Sequence, residues 1–212
     1  MPEDETHVIS DADDQLYRQV LDEIKKRMDY VFAHLPLAKI RPDFESCALQ
    51  LRTAIELVVM GSLVTNREAL ESIDIALSSK KSADDAAKAA KAANPDYWPK
   101  ATAPQARAHG EPIELRPVEG ALTESGWQRE WGKLSAYLHA HNPFKEHLSL
   151  DDARMLIARV SEEVRLLTQH HSIHLADRYG MLVGQISPSG VSVTHFALLA
   201  AEEAPDDPEG SD

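Results

Sequence analysis

The chain has little cysteine and few basic residues, and both shortages exclude classes of protein. Cys47 is the single cysteine in 212 residues, so no internal disulfide can form. Only 22 lysines and arginines stand against 35 acidic residues, which gives a net charge of −13. Strong non-specific nucleic-acid binding depends on clustered Lys and Arg, so this balance disfavours it. A local basic groove is still compatible with the charge, because acidic residues concentrate in 1–14 and 202–212.

Several motifs that mark common active sites and membrane segments are also missing. No P-loop, G-x-G-x-x-G or G-x-S-x-G segment occurs, so nucleotide-fold and serine-hydrolase functions have no support. No run of 18 apolar residues occurs, and the acidic N-terminal segment lacks the basic and then hydrophobic pattern of a signal peptide. We therefore expect a cytoplasmic protein that makes no membrane contact and needs no cofactor.

The histidines suggest metal ligands by spacing alone. On a helix, His139 and His141 would point about 200° apart and could not share one ion. His170 and His174 would share a helix face, but no Glu follows the first His as in zinc-binding helices. No cysteine pair or facing carboxylate completes a shell. We expect no metal and interpret these histidines as surface residues near helix ends.

Hydrophobic periodicity predicts a mainly α fold with a C-terminal β-hairpin. The expected order is an acidic tail at 1–12, a helical bundle at 13–178, a hairpin at 179–201 and a second acidic tail at 202–212. Within the bundle, the pattern predicts helices from Asp13, over 44–64, over 66–79 with Asn66 as N-cap, over 82–94 with Ser82 as N-cap, from Thr123 to Asn142-Pro143, and over 149–176 with Ser149 as N-cap.

Two segments outside these helices favour extended structure. The proline-rich stretch 95–120 is expected to be a long connection held by Tyr97 and Trp98, with a short strand at 113–118. Alternation around a Ser-Pro-Ser-Gly turn predicts the hairpin over 179–200. Because a lone hairpin is marginal in water, it must pack on the helices, pair with the strand near Ile113 or pair with a second copy of the chain.

An arginine and a glutamate stand out in the most apolar helix. At 100° per residue, Glu45, Arg52 and Glu56 fall within about 40° of one another. The local Arg52–Glu56 contact is worth only about 0.2–0.5 kcal/mol, so a further partner for Arg52 is expected. That partner is another helix, which makes the pair a buried tie, or a ligand, or a cluster of carbonyl groups.

The segment LHAHNPF (138–144) ends the helix from Thr123. His139 lies at the helix boundary, and Asn142 suits a C-cap position before a proline. A His and an Asn at such a junction can position a phosphate and act as acid and base. They can equally satisfy the free carbonyls of a helix end.

Four elements together carry a family resemblance: LQLRTAIELVVMGSLVTNRE, NPDYWPK, LTESGWQREWGKLSAYLHAHNPF and LLTQHHSIHL. Over roughly residues 44–175 the chain resembles a bacterial family of HEPN-like helical proteins, in which an aromatic-rich helix ends in a Leu-His-x-x-Asn-Pro element, here at 138–143. The resemblance implies a four- or five-helix unit and a homodimer. It also implies a bacterial defence or toxin–antitoxin setting, in which some members are metal-independent ribonucleases and others are inactive scaffolds.

The ribonucleases of this family use an Arg-x4–6-His element at a dimer interface. This spacing occurs at Arg27–His34 and at Arg165 with His170 or His171, which is about as often as chance produces it. No arginine stands at that distance before His139.

Two functions follow from these patterns. The first is a non-catalytic interaction or regulatory protein that binds a partner through the hairpin 179–200. The alternative is a metal-independent endoribonuclease or RNA-binding effector. In it His139 and Asn142, with Arg52 and Glu56, would act on a ribose 2′-hydroxyl.

Overall fold

The computed structural model describes residues 9–72, 82–105, 114–139, 148–176 and 180–197. The helices in these ranges are α1 (Asp11–His34), a 3₁₀ turn (Leu35–Leu37), α2 (Arg41–Val64), α3 (Arg67–Ser72), α4 (Ala83–Ala93), α5 (Trp127–Leu138) and α6 (Leu150–Gln169). The strands are β1 (Lys100–Gln105), β2 (Glu114–Pro117), β3 (His171–His174), β4 (Gly180–Ser187) and β5 (Gly190–Ala197). The chain is therefore mainly helical with a small antiparallel sheet, and the C-terminal hairpin is confirmed as β4 and β5.

Serine hydroxyls cap three of the helices. Ser82 and Ser149 each accept the backbone N–H of the residue three positions later, at 3.1 and 3.0 Å, which confirms both predicted caps. Ser10 does the same for α1, so this helix begins at Asp11, two residues before the expected start. Asn66 stands directly before α3, but its amide group donates to the Ser62 carbonyl at 2.7 Å instead of capping.

Helix α2 forms the centre of the core and packs against α1, α4, α5 and α6. Leu51, Ile55 and Val59 on it are completely buried, and each such side chain contributes about 1.5–3 kcal/mol by leaving water. Cys47 is buried as expected, and burial raises the pKa of its thiol. By length and composition α2 could cross a membrane, but more than half of that stretch is buried within the protein, as in a core helix.

The helix expected over 149–176 is shorter than the sequence indicates. It ends at Gln169, His170 is extended, and residues 171–174 form β3. His171 is 2% exposed and Ile173 1%, so the expectation of surface histidines on a helix is wrong for this segment. Local periodicity misses β3 because the strand exists through its pairing with β1 and β4, which are distant in sequence.

The five strands form one antiparallel sheet in the order β2-β1-β3-β4-β5. β2 lies within the expected strand at 113–118, whereas β1 was not predicted from the sequence. β1 and β3 link the hairpin to β2, so the hairpin does not pair directly with the strand near Ile113. Ile173 and Leu182 point into the helical core, and therefore their neighbours Ser172 and His174 point to the opposite face of the sheet.

Helix α5 has the predicted apolar stripe but different ends. Trp127 and Leu134 are buried, and Trp131 and Leu138 pack against the core. The helix begins at Trp127 because residues before it form a turn, in which Thr123 accepts the Trp127 N–H through its carbonyl at 3.0 Å. It ends at Leu138, ahead of Asn142-Pro143, which lies outside the described residues.

Candidate functional site

Arg52 and Glu56 lie together on α2 and meet Trp131 of α5. The Arg52 Nε donates to Glu56 Oε1 at 3.0 Å, and the Trp131 indole N–H donates to the same oxygen at 2.8 Å. The guanidinium carbon of Arg52 lies 5.0 Å from the centroid of the Trp131 ring. Both charged side chains are about 30% exposed. The three side chains therefore close a polar and aromatic tie between two helices.

The contacts within this tie explain why charged residues are tolerated in α2. A cation over an aromatic ring at a partly exposed site contributes about 0.5–1 kcal/mol. A hydrogen bond to a charged group contributes about 1.5–3 kcal/mol. Together they exceed the weak local Arg52–Glu56 contact. Trp131 is thus the further partner that the sequence required but did not identify, and it lies 75 residues away from Glu56.

His139 lies at the C-cap of α5 and is exposed. Its backbone is extended, with φ −70° and ψ 148°, and its N–H donates to the Ser135 carbonyl at 3.2 Å. The imidazole has no hydrogen-bond partner within the part of the chain that the structure describes. Asn142, the other candidate in this segment, lies outside that part.

The described residues bring Arg41, and not Arg52, to the end of α5 that carries His139. Arg41 donates to the Tyr137 carbonyl at 3.2 Å, and its guanidinium carbon lies 4.7 Å from the Tyr137 ring centroid. Arg52 follows Arg41 by 11 residues, or about 16 Å along the helix axis. The structure therefore brings Arg52 and Glu56 together at one level of α5 and leaves His139 at another.

Sequence reasoning missed Arg41 although a signal was present. Arg41 and Glu45 repeat the Arg-x3-Glu spacing of Arg52 and Glu56, and they pair in the same way, at 2.7 Å. The spacing alone does not show which aromatic side chain each arginine covers, because Trp131 and Tyr137 belong to α5, which is distant from α2 in the sequence.

The arginine and the histidine of each Arg-x4–6-His match contact different partners and do not form one site. Arg27 donates to Gln50 on α2 and to Glu23, both at 2.7 Å. Arg165 pairs with Glu162 on the outside of α6, whereas His171 points inward and lies 2.6 Å from the Tyr17 hydroxyl. Burial lowers the pKa of His171 to about 4, so this imidazole is neutral at physiological pH.

A buried carboxylate on α5 was also missed by sequence reasoning. The Glu130 side chain is 1% exposed and forms ion pairs with Arg129, Lys133 and, across to α6, Arg159. Burial opposes ionisation, but hydrogen bonds from Arg159 and Arg129 overcome it and lower the pKa of Glu130 to about 2. A carboxylate held charged by three cations has no proton to give near neutral pH, so it joins α5 to α6 and does not serve as an acid.

Within the described ranges, no three His, Cys, Asp or Glu side chains are placed to hold a metal ion. Comparisons of the chain with protein-family models, curated proteins and solved structures give no match.

Proposed function

We propose that the protein is a non-catalytic interaction protein built on a HEPN-like helical scaffold. The observation that carries this proposal is the Arg52–Glu56–Trp131 tie. Of the residues considered for catalysis, Arg52 has the chemistry to bind a phosphate, but its guanidinium is already stacked and paired. A phosphate would have to displace these contacts, whereas in a non-catalytic scaffold they stabilise the packing of α2 against α5.

The turn 37–40 between α1 and α2 offers an interaction surface. Leu37 is 71% exposed and Ile40 59%, which is unusual for large aliphatic side chains so close together. Arg154 of α6 donates to the Leu35 and Ala38 carbonyls at 2.8 and 2.6 Å, so it fixes the first turns of α6 beside this turn. Leu150, one helical turn before Arg154, adds a third apolar side chain at 40% exposure.

A second copy of this chain fits the surface around turn 37–40. Lys39 lies in the turn and Asp151 in the adjacent first turn of α6, and both are exposed. A two-fold contact places the same patch against itself, so charges of both signs around an apolar centre can pair across it. The partner of the interaction protein is then another protomer.

The hairpin is the weaker partner surface, although its strand β5 forms an edge of the sheet. Arg18 of α1 donates to the Val193 carbonyl at 2.7 Å, and Asp14 pairs with His195 at 2.8 Å. An edge strand whose outward carbonyl already accepts a side chain is a poor template for strand addition.

Sedimentation equilibrium tests the interaction proposal. The wild type should dimerise at micromolar concentration, and Leu37→Asp combined with Ile40→Asp should leave a folded monomer, because each carboxylate would be desolvated in the contact. Leu49→Asp is the matched control, since Leu49 is 47% exposed but lies on α2 away from the turn. A monomeric wild type, or dissociation only in the control, would contradict the proposal.

The second candidate function is a metal-independent ribonuclease. It is favoured by the exposed His139, two residues from the Tyr137 carbonyl that Arg41 contacts. Like Arg52, Arg41 would have to leave its carboxylate and aromatic partners to bind a phosphate. RNA cleavage in EDTA separates the two functions. Under the interaction proposal neither the wild type nor His139→Ala cuts RNA. Cleavage by the wild type that disappears in His139→Ala would establish the ribonuclease, and a matching loss in Arg41→Ala but not in Arg52→Ala would assign the phosphate contact to Arg41.

A further inference from the structure

The face of the sheet that points away from the helices carries a cleft of about 760 Å³. Its floor contains Thr102 of β1 together with Ser172 and His174 of β3, and the segments 95–99 and 117–124 form its walls. Small-molecule sites typically occupy about 300–1,000 Å³, so this cleft has the size of a ligand site.

The floor of the cleft holds two polar side chains without a hydrogen-bond partner among the described residues. Ser172 is 4% exposed, and its hydroxyl makes no hydrogen bond to any described residue. The His174 imidazole beside it has no such partner either, whereas the Thr102 hydroxyl lies 2.8 Å from His170 Nδ1. The Ser172 hydroxyl is accessible from the cleft, so it is free to hydrogen-bond a group that binds there.

Apolar and aromatic side chains surround these polar groups. Trp98, Pro117 and Met181 line the cleft, and the Trp98 indole N–H is already directed at the Leu122 carbonyl, at 3.3 Å. Trp98 therefore offers carbon surface rather than a hydrogen-bond donor. Flat apolar walls above two hydrogen-bonding groups suit an aromatic ring that carries a polar substituent.

The charges around the cleft disfavour an anion. Lys100 is paired with Asp96 at 3.0 Å, which leaves it little free charge for a ligand. Glu119 and Glu124 also line the cleft; Glu124 is paired with Lys91 at 2.7 Å, which leaves Glu119 as the lining charge without an ion pair among the described residues. The charge that is left at the rim is thus negative, and it opposes a phosphate or carboxylate ligand.

We propose that this cleft binds a small aromatic ligand that carries a hydrogen-bonding substituent and no negative charge. Ser172 and His174 bind the substituent, and the ring packs between Trp98 and Met181. The site lies on the sheet and does not depend on the proposed function, because turn 37–40 contributes nothing to it.

Three probes with the same ring and different charge test the proposal: benzamide, benzamidine and benzoate. Titration of the isotope-labelled full chain, followed by amide chemical shifts in NMR spectra, should show saturable shifts at Ser172 and His174 with benzamide and benzamidine. Benzoate should bind about tenfold more weakly because of the acidic rim. Ser172→Ala should weaken benzamide binding about fivefold, as expected for the loss of one neutral hydrogen bond.

Two tryptophan substitutions distinguish filling of the cleft from general damage to the sheet. Met181→Trp fills the cleft and should abolish the shifts. Thr194→Trp is the matched control, since Thr194 lies on the same face of the sheet, opposite Val183, but does not line the cleft. It should bind benzamide like the wild type. No saturable shift with either benzamide or benzamidine, equal or tighter binding of benzoate, or unchanged binding in Met181→Trp would each overturn the proposal.

Discussion

Replacing Glu130 with glutamine removes a charge whose side chain is only 1% exposed while keeping its shape. The folded protein lowers the pKa of this carboxyl from 4.5 to about 2, despite the burial that opposes ionisation, through the hydrogen bonds from Arg159 and Arg129. One pKa unit corresponds to about 1.4 kcal/mol, so the charged form contributes roughly 3 kcal/mol to folding near neutral pH. We expect Glu130→Gln to lose most of this stability at pH 7.

The loss should depend on pH in a defined direction. Because the folded-state pKa is below the unfolded-state value, the contribution of Glu130 is complete above about pH 4.5 and disappears as the pH falls towards 2. The difference in unfolding free energy between wild type and Glu130→Gln should fall from roughly 3 kcal/mol at pH 7 to about half of that at pH 3.

Urea unfolding at both pH values measures this difference, and Glu162→Gln is the matched control. Glu162 also pairs with an arginine of α6, Arg165, but its side chain is 51% exposed. Exposed ion pairs contribute about 0–1 kcal/mol, so the control should change little at either pH. A loss at Glu130 that is below 1 kcal/mol at pH 7, or equal at pH 7 and pH 3, would refute the account of a buried charge held by its partners.

Four further substitutions test the packing of the helices and the sheet. Gly184→Ala places a methyl group 2.5 Å from the His171 Nε2, so urea unfolding should show a loss of about 1–3 kcal/mol in unfolding free energy. Gly132→Ala in α5 is the matched control, because the added methyl group meets nothing within 4 Å. It should raise the unfolding free energy by about 0.5–1 kcal/mol. Tyr17→Phe leaves the buried imidazole of His171 without its 2.6 Å partner and should cost about 1–3 kcal/mol at pH 7, and a neutral result would contradict the hydrogen bond. Arg52→Ala should lower the melting temperature without changing RNA binding in a filter assay, and a selective loss of RNA binding would contradict its role as a helix tie.

Features that depend on neighbours in sequence were predictable. The serine caps at Ser82 and Ser149 involve hydrogen bonds over three residues, and the β4–β5 turn is specified by its own proline and glycine. The pairing of Arg52 with Glu56 follows directly from helical spacing.

Features that depend on distant contacts were not predictable from the pattern. β3 carries histidines that have weak strand preference, and β1 contains Pro104, which is depleted in strands, so neither has a strong local signal. Both form because they pair with each other and with neighbouring strands. The same limit applies to the candidate site. Nothing near Arg52 in the sequence shows that Trp131 contacts it, and nothing near His139 shows that Arg41 lies at the same end of α5.

Three polar contacts of α5 join it to other helices. Glu130 reaches Arg159 of α6, Trp131 reaches Glu56 of α2, and the Tyr137 carbonyl accepts Arg41. Three positions of α5 are thereby fixed to two different helices. A helix so fixed can present an exposed surface rigidly, but its charges cannot be redirected to a substrate without breaking internal contacts. The two proposals therefore assign recognition to side chains outside these contacts, at the turn 37–40 and on the outer face of the sheet.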